Sequence, residues 1–106
     1  MARYALLYSG DQTSSSREEQ DAIVADWEGW YAAMGQAIVE GGDPFGASKH
    51  IAAAGMPATD GDGGMPASGY TVIDAESLDD AAAKCSDHPH LARGGKIHIF
   101  EAIDLH

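Results

Sequence analysis

Twice in this chain a run of strand-favouring residues is followed by a helix-capping box, and that order restricts the fold more than any other feature. Arg3 to Tyr8 is apolar and aromatic and stops at Ser9-Gly10-Asp11, which reads as a short buried strand. Two overlapping capping boxes follow, Ser15 to Glu18 and Ser16 to Glu19, with acids in the first turn where the helix dipole favours them. The second instance is Gly69-Tyr70-Thr71-Val72-Ile73, β-branched and aromatic residues in a row, followed by the box Ser77-Leu78-Asp79-Asp80.

The first helix carries one apolar stripe of Ile23, Trp27, Trp30, Tyr31, Met34 and Ile38, and Gly41-Gly42 supplies its left-handed stop. Gly29 and Gly35 lie inside it, each costing about 1 kcal/mol of helicity relative to Ala, which implies close packing against a neighbour. Phe45 to Ala52 is compatible with a second strand, and Ala53 to Ser68, rich in Gly, Pro and Asp, reads as a long exposed connection. Leu78, Ala81, Ala82 and Cys85 share a face of a short second helix that Pro89 ends. After Gly94-Gly95 the segment Ile97 to Ile103 alternates with period two and places Ile97, Ile99 and Ile103 on one face.

The order is therefore βαββαβ. Right-handed crossovers put the third strand between the first and second, and the fourth outside the first, giving an α+β, ferredoxin-like sandwich over a single domain, residues 1–106. In that arrangement Ser9–Thr13, Ala53–Ser68 and Asp87–Gly95 converge at one sheet edge. They bring Asp11, Asp60, Asp62, Asp87, His88 and His90 together, with Lys49 and His50 approaching along the second strand.

A chain of 106 residues buries only about 60–70% of its unfolded surface, so its core is small and self-association would help it. With 6 Lys+Arg against 17 Asp+Glu the formal net charge is −11, a field that repels phosphate backbones and anionic headgroups. Nucleic acid and membrane surfaces are excluded as partners on that ground. One cysteine makes no internal disulfide, the N-terminal residues lack a signal peptide's pattern, and no apolar stretch approaches the roughly 20 residues of a membrane span. The expected location is cytoplasmic.

His88 is the candidate general acid/base and Asp11 the carboxylate that would orient it. Against these stand two bland readings: His88 as a cationic cap on the C-terminus of the second helix, and Asp11 as a turn former. Trp27, Trp30, Lys49, His50 and His90 are candidate ligand-binding residues, although a helical aromatic stripe also serves as core and His90 also fits an exposed position. Cys85 reads as a small buried apolar residue. Asp60-Gly61-Asp62-Gly63-Gly64 lacks the glutamate of a calcium loop, and the glycine-rich stretches lack the Lys-Ser/Thr of a phosphate cradle, so neither a metal nor a cofactor is expected.

Gly69-Tyr70-Thr71-Val72-Ile73-Asp74-Ala75-Glu76-Ser77-Leu78-Asp79-Asp80-Ala81, then His88-Pro89-His90-Leu91, Gly94-Gly95 and a closing strand, resemble the YCII-related (DGPF) family. The N-terminal Arg3 to Tyr8 strand and the Trp27–Trp30 helix running into Gly41-Gly42 fit the same pattern. The resemblance implies a ferredoxin-like unit that pairs through its sheet face into a homodimeric α/β barrel. One branch of the family includes a dehydrochlorinase acting on a chlorinated hydroxymuconate. Its acidic position before the proline falls on His88, and its helix histidine at or near Trp30. The implied function is acid–base, lyase- or isomerase-like chemistry on a small organic metabolite; the alternative is a non-catalytic ligand-binding or regulatory dimer.

Overall fold

The computed structural model describes residues 1–10 and 16–105. Its elements are β1 (Ala2–Ser9), α1 (Arg17–Met34), a 3-10 turn (Gly35–Ala37), β2 (Ile38–Glu40), β3 (Lys49–His50), β4 (Thr59–Asp60), β5 (Gly69–Ala75), α2 (Leu78–Lys84), α3 (Pro89–Ala92) and β6 (Lys96–Ala102). Four strands form an antiparallel sheet in the order β2-β5-β1-β6, the order expected for a ferredoxin-like α+β unit. The remaining two, β3 and β4, form a separate small hairpin.

Both strand-then-cap modules fold as their sequences direct. Ser16 Oγ accepts the Glu19 N–H at 3.1 Å and Ser77 Oγ accepts that of Asp80 at 3.0 Å, satisfying donors that a helix start leaves open. The Ser15 box lies outside the described residues. Along β1 the alternation buries Tyr4, Leu6 and Tyr8, and along β5 it buries Thr71, Ile73 and Ala75. Trp30 of α1, Ala81 of α2 and Cys85, which caps α2, close the core over that face. Burial pushes the Cys85 thiol up to about 11, as befits a small apolar filler.

The first helix is shorter than its stripe suggests. It ends at Met34 because Gly35 adopts φ +56° and turns its N–H to Tyr31 O, a conformation open to glycine without a Cβ clash. Ile38 therefore leaves the helix and pairs with Ile73, so the sheet's second strand is Ile38–Glu40 rather than Phe45–Ala52. The latter segment has too few β-branched residues to hold a sheet edge. The one bridge to β5, Pro44 to Gly69, lies just before it, and the segment itself supplies β3, which pairs with β4 inside the stretch expected to be a long exposed connection. Gly29 has nothing within 4 Å of an added Cβ, so no close neighbour compensates its cost. Leu78 and Ala82 face solvent, and Ile103 lies past the end of β6 and is exposed.

All three helices lie on one side of the sheet. The opposite side carries cross-strand rows Asp74–Arg3–Ala102, Val72–Ala5–Phe100 and Tyr70–Leu7–His98, apolar through the middle. The molecule measures 45 × 44 × 18 Å, and its radius of gyration of 15.4 Å exceeds the roughly 13 Å of a compact domain this long. No helix among the described residues is long and apolar enough to cross a membrane.

Candidate functional site

The convergence of loops expected at the sheet edge is present. Ser68 N–H donates to Tyr8 O at 2.7 Å, and a Cβ on Gly10 would fall 3.0 Å from Gly95 Cα, so three sequence-distant segments meet where β1 ends. Two histidines from the Asp87–Gly95 segment are drawn inward there rather than left at the rim.

His88 does not cap the C-terminus of α2. It is the N-cap of α3, ahead of Pro89, and its Nδ1 accepts the His90 N–H at 3.0 Å. With Nδ1 occupied as an acceptor, the neutral ring carries its proton on Nε2 and donates to Tyr8 Oη at 3.1 Å. Tyr8 Oη donates to Thr71 Oγ1 at 2.7 Å, and Thr71 Oγ1 donates to Gly41 O at 3.1 Å. Tyr31 Oη joins the end of the chain, donating to Gly41 O at 2.9 Å. The imidazole is enclosed by Trp27, Trp30 and Tyr8, with ring centroids 4.5, 4.3 and 5.1 Å away. Burial first, and the neighbouring His90 second, push its pKa down to about 4 against a small opposing pull from Asp87. Burial likewise holds the Tyr8 phenol well above its ordinary range.

His90, which also fits an exposed position by sequence, is 2% exposed. Its Nε2 donates to Ser9 O at 2.7 Å, tying α3 to the end of β1, while its Nδ1 is buried and has no partner among the described residues. Gly95 lies directly against this ring: a Cβ there would sit 2.2 Å from Nε2. The Gly94-Gly95 turn is thus what lets the chain pass the imidazole and enter β6.

Above these rings lies a cavity of about 440 Å³ between α1 and the sheet. Tyr8, Ile23, Val24, Trp27, Tyr31 and His90 line it, and the segments Gly41–Pro44 and Ser68–Tyr70 close it. Its acidic neighbours are Glu28 and Asp43, and among the described residues no Lys or Arg reaches its wall. Gly42, at φ +74°, makes the closing segment possible, since a Cβ would lie 1.8 Å from Tyr70 O. The glycine pair read as the helix stop serves instead to press the chain against β5. Phe45 then stacks on Tyr70 at 5.7 Å, and Tyr70 Oη donates to the Glu40 carboxylate.

The residues singled out by sequence separate accordingly. Trp27 and His90 line the cavity. Trp30 sits behind them as core, its Nε1 donating to Lys84 O at 3.4 Å. His88 is 1% exposed with both ring nitrogens engaged, and it lies behind the wall residues Tyr8, Trp27 and His90 that it contacts. Asp11 lies outside the described residues. Lys49 and His50 belong to the exposed hairpin, where Lys49 Nζ pairs with Asp60 at 2.7 Å and His50 contacts Thr59. Asp62 accepts the Gly64 N–H within its own turn, and among the described residues no three His, Cys, Asp or Glu side chains gather to hold a metal. Tyr8 and Thr71 were not singled out beyond their strands. Their only signal is that each is a polar-tipped residue at an inward position of a core strand, where a hydroxyl requires a partner.

Compared with protein-family models and with curated proteins, the chain matches none.

Proposed function

We propose that the protein binds a small organic molecule in the cavity beneath α1 and works in the cytoplasm as a homodimer of the YCII-related kind, paired through its uncovered sheet face. The observation that carries the binding reading is the cavity itself, with its aromatic walls of Tyr8, Trp27 and Tyr31. The pairing reading rests on the apolar rows of the helix-free side and on the thinness of the chain as a single unit.

A second reading, acid–base chemistry on the bound molecule, is favoured by the hydrogen-bonded chain from His88 through Tyr8 to Thr71, which begins beside the cavity wall. In that reading the group that touches the substrate is His90, and His88 with Tyr8 positions it. An NMR screen of aromatic fragments tests the binding reading. Bound fragments should shift the Trp27 indole N–H and the amides of Gly41, Gly42 and Gly69; shifts confined to the uncovered sheet face would overturn it. Turnover of a bound fragment that is lost in His90→Gln would select the catalytic reading.

A further inference from the structure

We infer that the hairpin of β3 and β4 is an arm that clasps a second copy of this chain, its Ile51, Met56 and Met65 side chains packing against the partner subunit. The inference rests on the pairing reading above and adds a second surface to it. From Asp43 to Pro66 no residue is buried, and His50 alone is even half-buried. Ile51, Met56 and Met65 are 66%, 55% and 64% exposed. The segment is nonetheless folded on itself: Lys49 Nζ meets Asp60 at 2.7 Å, Gly61 N–H donates to Ser48 O at 2.9 Å, and the His50 ring lies against Thr59. An exposed ion pair contributes little, and a two-stranded hairpin with no covered face is marginal in water. Such a hairpin is stabilised when its apolar side chains are covered, and none of the described residues covers these.

The arm grows out of the side of the sheet that carries no helices. Tyr70 belongs to the cross-strand row Tyr70–Leu7–His98 of that side, and Phe45, at the root of the arm, stacks on it at 5.7 Å. On the return leg, Asp62, Pro66 and Ser68 line a cleft together with Ser9 and Lys96, the next cross-strand pair of the same side. The uncovered face thus continues through Tyr70 and Phe45 onto the arm. In a two-fold pair that buries this face, each arm stands at the rim of the interface beside the other copy, and each copy gives and receives the same contact. The leg from Phe45 to Met56, at up to about 3.3 Å per residue, is longer than the roughly 10 Å between packed sheets. Charge permits the contact. Residues 45–68 hold one Lys and two Asp, the Lys paired with Asp60, in a chain of net charge −11, so the arm brings little of the repulsion between two copies.

Two measurements on the full chain test the clasp: sedimentation equilibrium of the wild type beside the triple variant Ile51→Ser, Met56→Ser, Met65→Ser, and isotope-filtered NOE spectra of a dimer mixed from labelled and unlabelled chains. The three side chains are exposed within the subunit, so the variant should keep the fold of the wild-type chain. It should weaken the dimer about tenfold or more, as loss of packed apolar contacts at an interface does. In the wild type the Met56 and Met65 methyl groups should show NOEs to the other copy. A wild-type dimer without those NOEs, or an unchanged dimer Kd in the variant, overturns the clasp and leaves the sheet-face pairing standing. A wild-type chain that stays monomeric at low micromolar concentration removes both.

Discussion

Tyr8 Oη lies 3.1 Å from His88 Nε2, and because the other ring nitrogen already accepts the His90 N–H, Tyr8 receives its hydrogen bond from an imidazole with no free position left. A side chain of this kind holds a structure together and sets the orientation of its neighbours. His90, two positions away, differs in having one ring nitrogen without a partner among the described residues.

Stability should fall as the medium is acidified from neutrality. His88 is depressed to about 4 in the folded chain against an ordinary value of 6.5, so between those limits the unfolded chain binds more protons. The contribution is complete above pH 6.5 and is lost progressively as pH falls towards 4, amounting to about 3 kcal/mol in all. Urea unfolding at a series of pH values measures it. The interval from 6.5 to 5, above most carboxylate titration, is diagnostic, and His88→Asn, which still accepts from the α3 N-terminus, should flatten the slope there.

Tyr8→Phe should destabilise the fold by about 1–3 kcal/mol, since it leaves the His88 N–H without its acceptor and Thr71 without its donor. The loss is read from denaturant midpoints, and a change below a few tenths of a kcal/mol would mean that the chain of hydroxyls contributes nothing to stability.

Two glycine substitutions should move stability in opposite directions. Gly95→Ala places a methyl 2.2 Å from an imidazole held by Ser9 O, and should cost upwards of about 2 kcal/mol. Gly29→Ala adds a methyl to an open helix position and should gain up to about 1 kcal/mol. Thermal melts of the two variants side by side check both.

The proposed pairing makes Leu7 and Phe100 interface residues. Leu7→Asp or Phe100→Asp should convert a dimer at low micromolar concentration into a folded monomer, because neither side chain belongs to the helix-covered core. Sedimentation equilibrium decides it, and a wild-type monomer under those conditions would remove the pairing.

The topology was legible because each central strand declares itself locally. Arg3 to Tyr8 and Gly69 to Ile73 combine strong β propensity with a following cap, and the crossover rule does the rest. The second strand was not legible. Ile38 satisfies both the helical period of α1 and the pairing with Ile73, and only the left-handed turn at Gly35, four residues on from Tyr31, resolves the ambiguity. For the site, Trp27 and His90 were recognisable as polar-tipped rings in promising places. The inward turn of both histidines depends on contacts across some eighty positions, from Tyr8 to His88 and from Ser9 to His90, which no local pattern encodes.

The two margins of the sheet are unlike. The β2 margin is three residues long, broken in register and flanked by Glu40, so it offers little to a foreign strand. The β6 margin is seven residues of regular ladder, Lys96-Ile97-His98-Ile99-Phe100-Glu101-Ala102, with Lys96 and Glu101 at its ends and no Asp, Glu, Lys or Arg between them. Its outward N–H and C=O groups form the longest open strand edge among the described residues. At high concentration or on storage, growth of cross-β aggregates should therefore begin at β6, and a proline or lysine at an outward position of that strand is the economical safeguard.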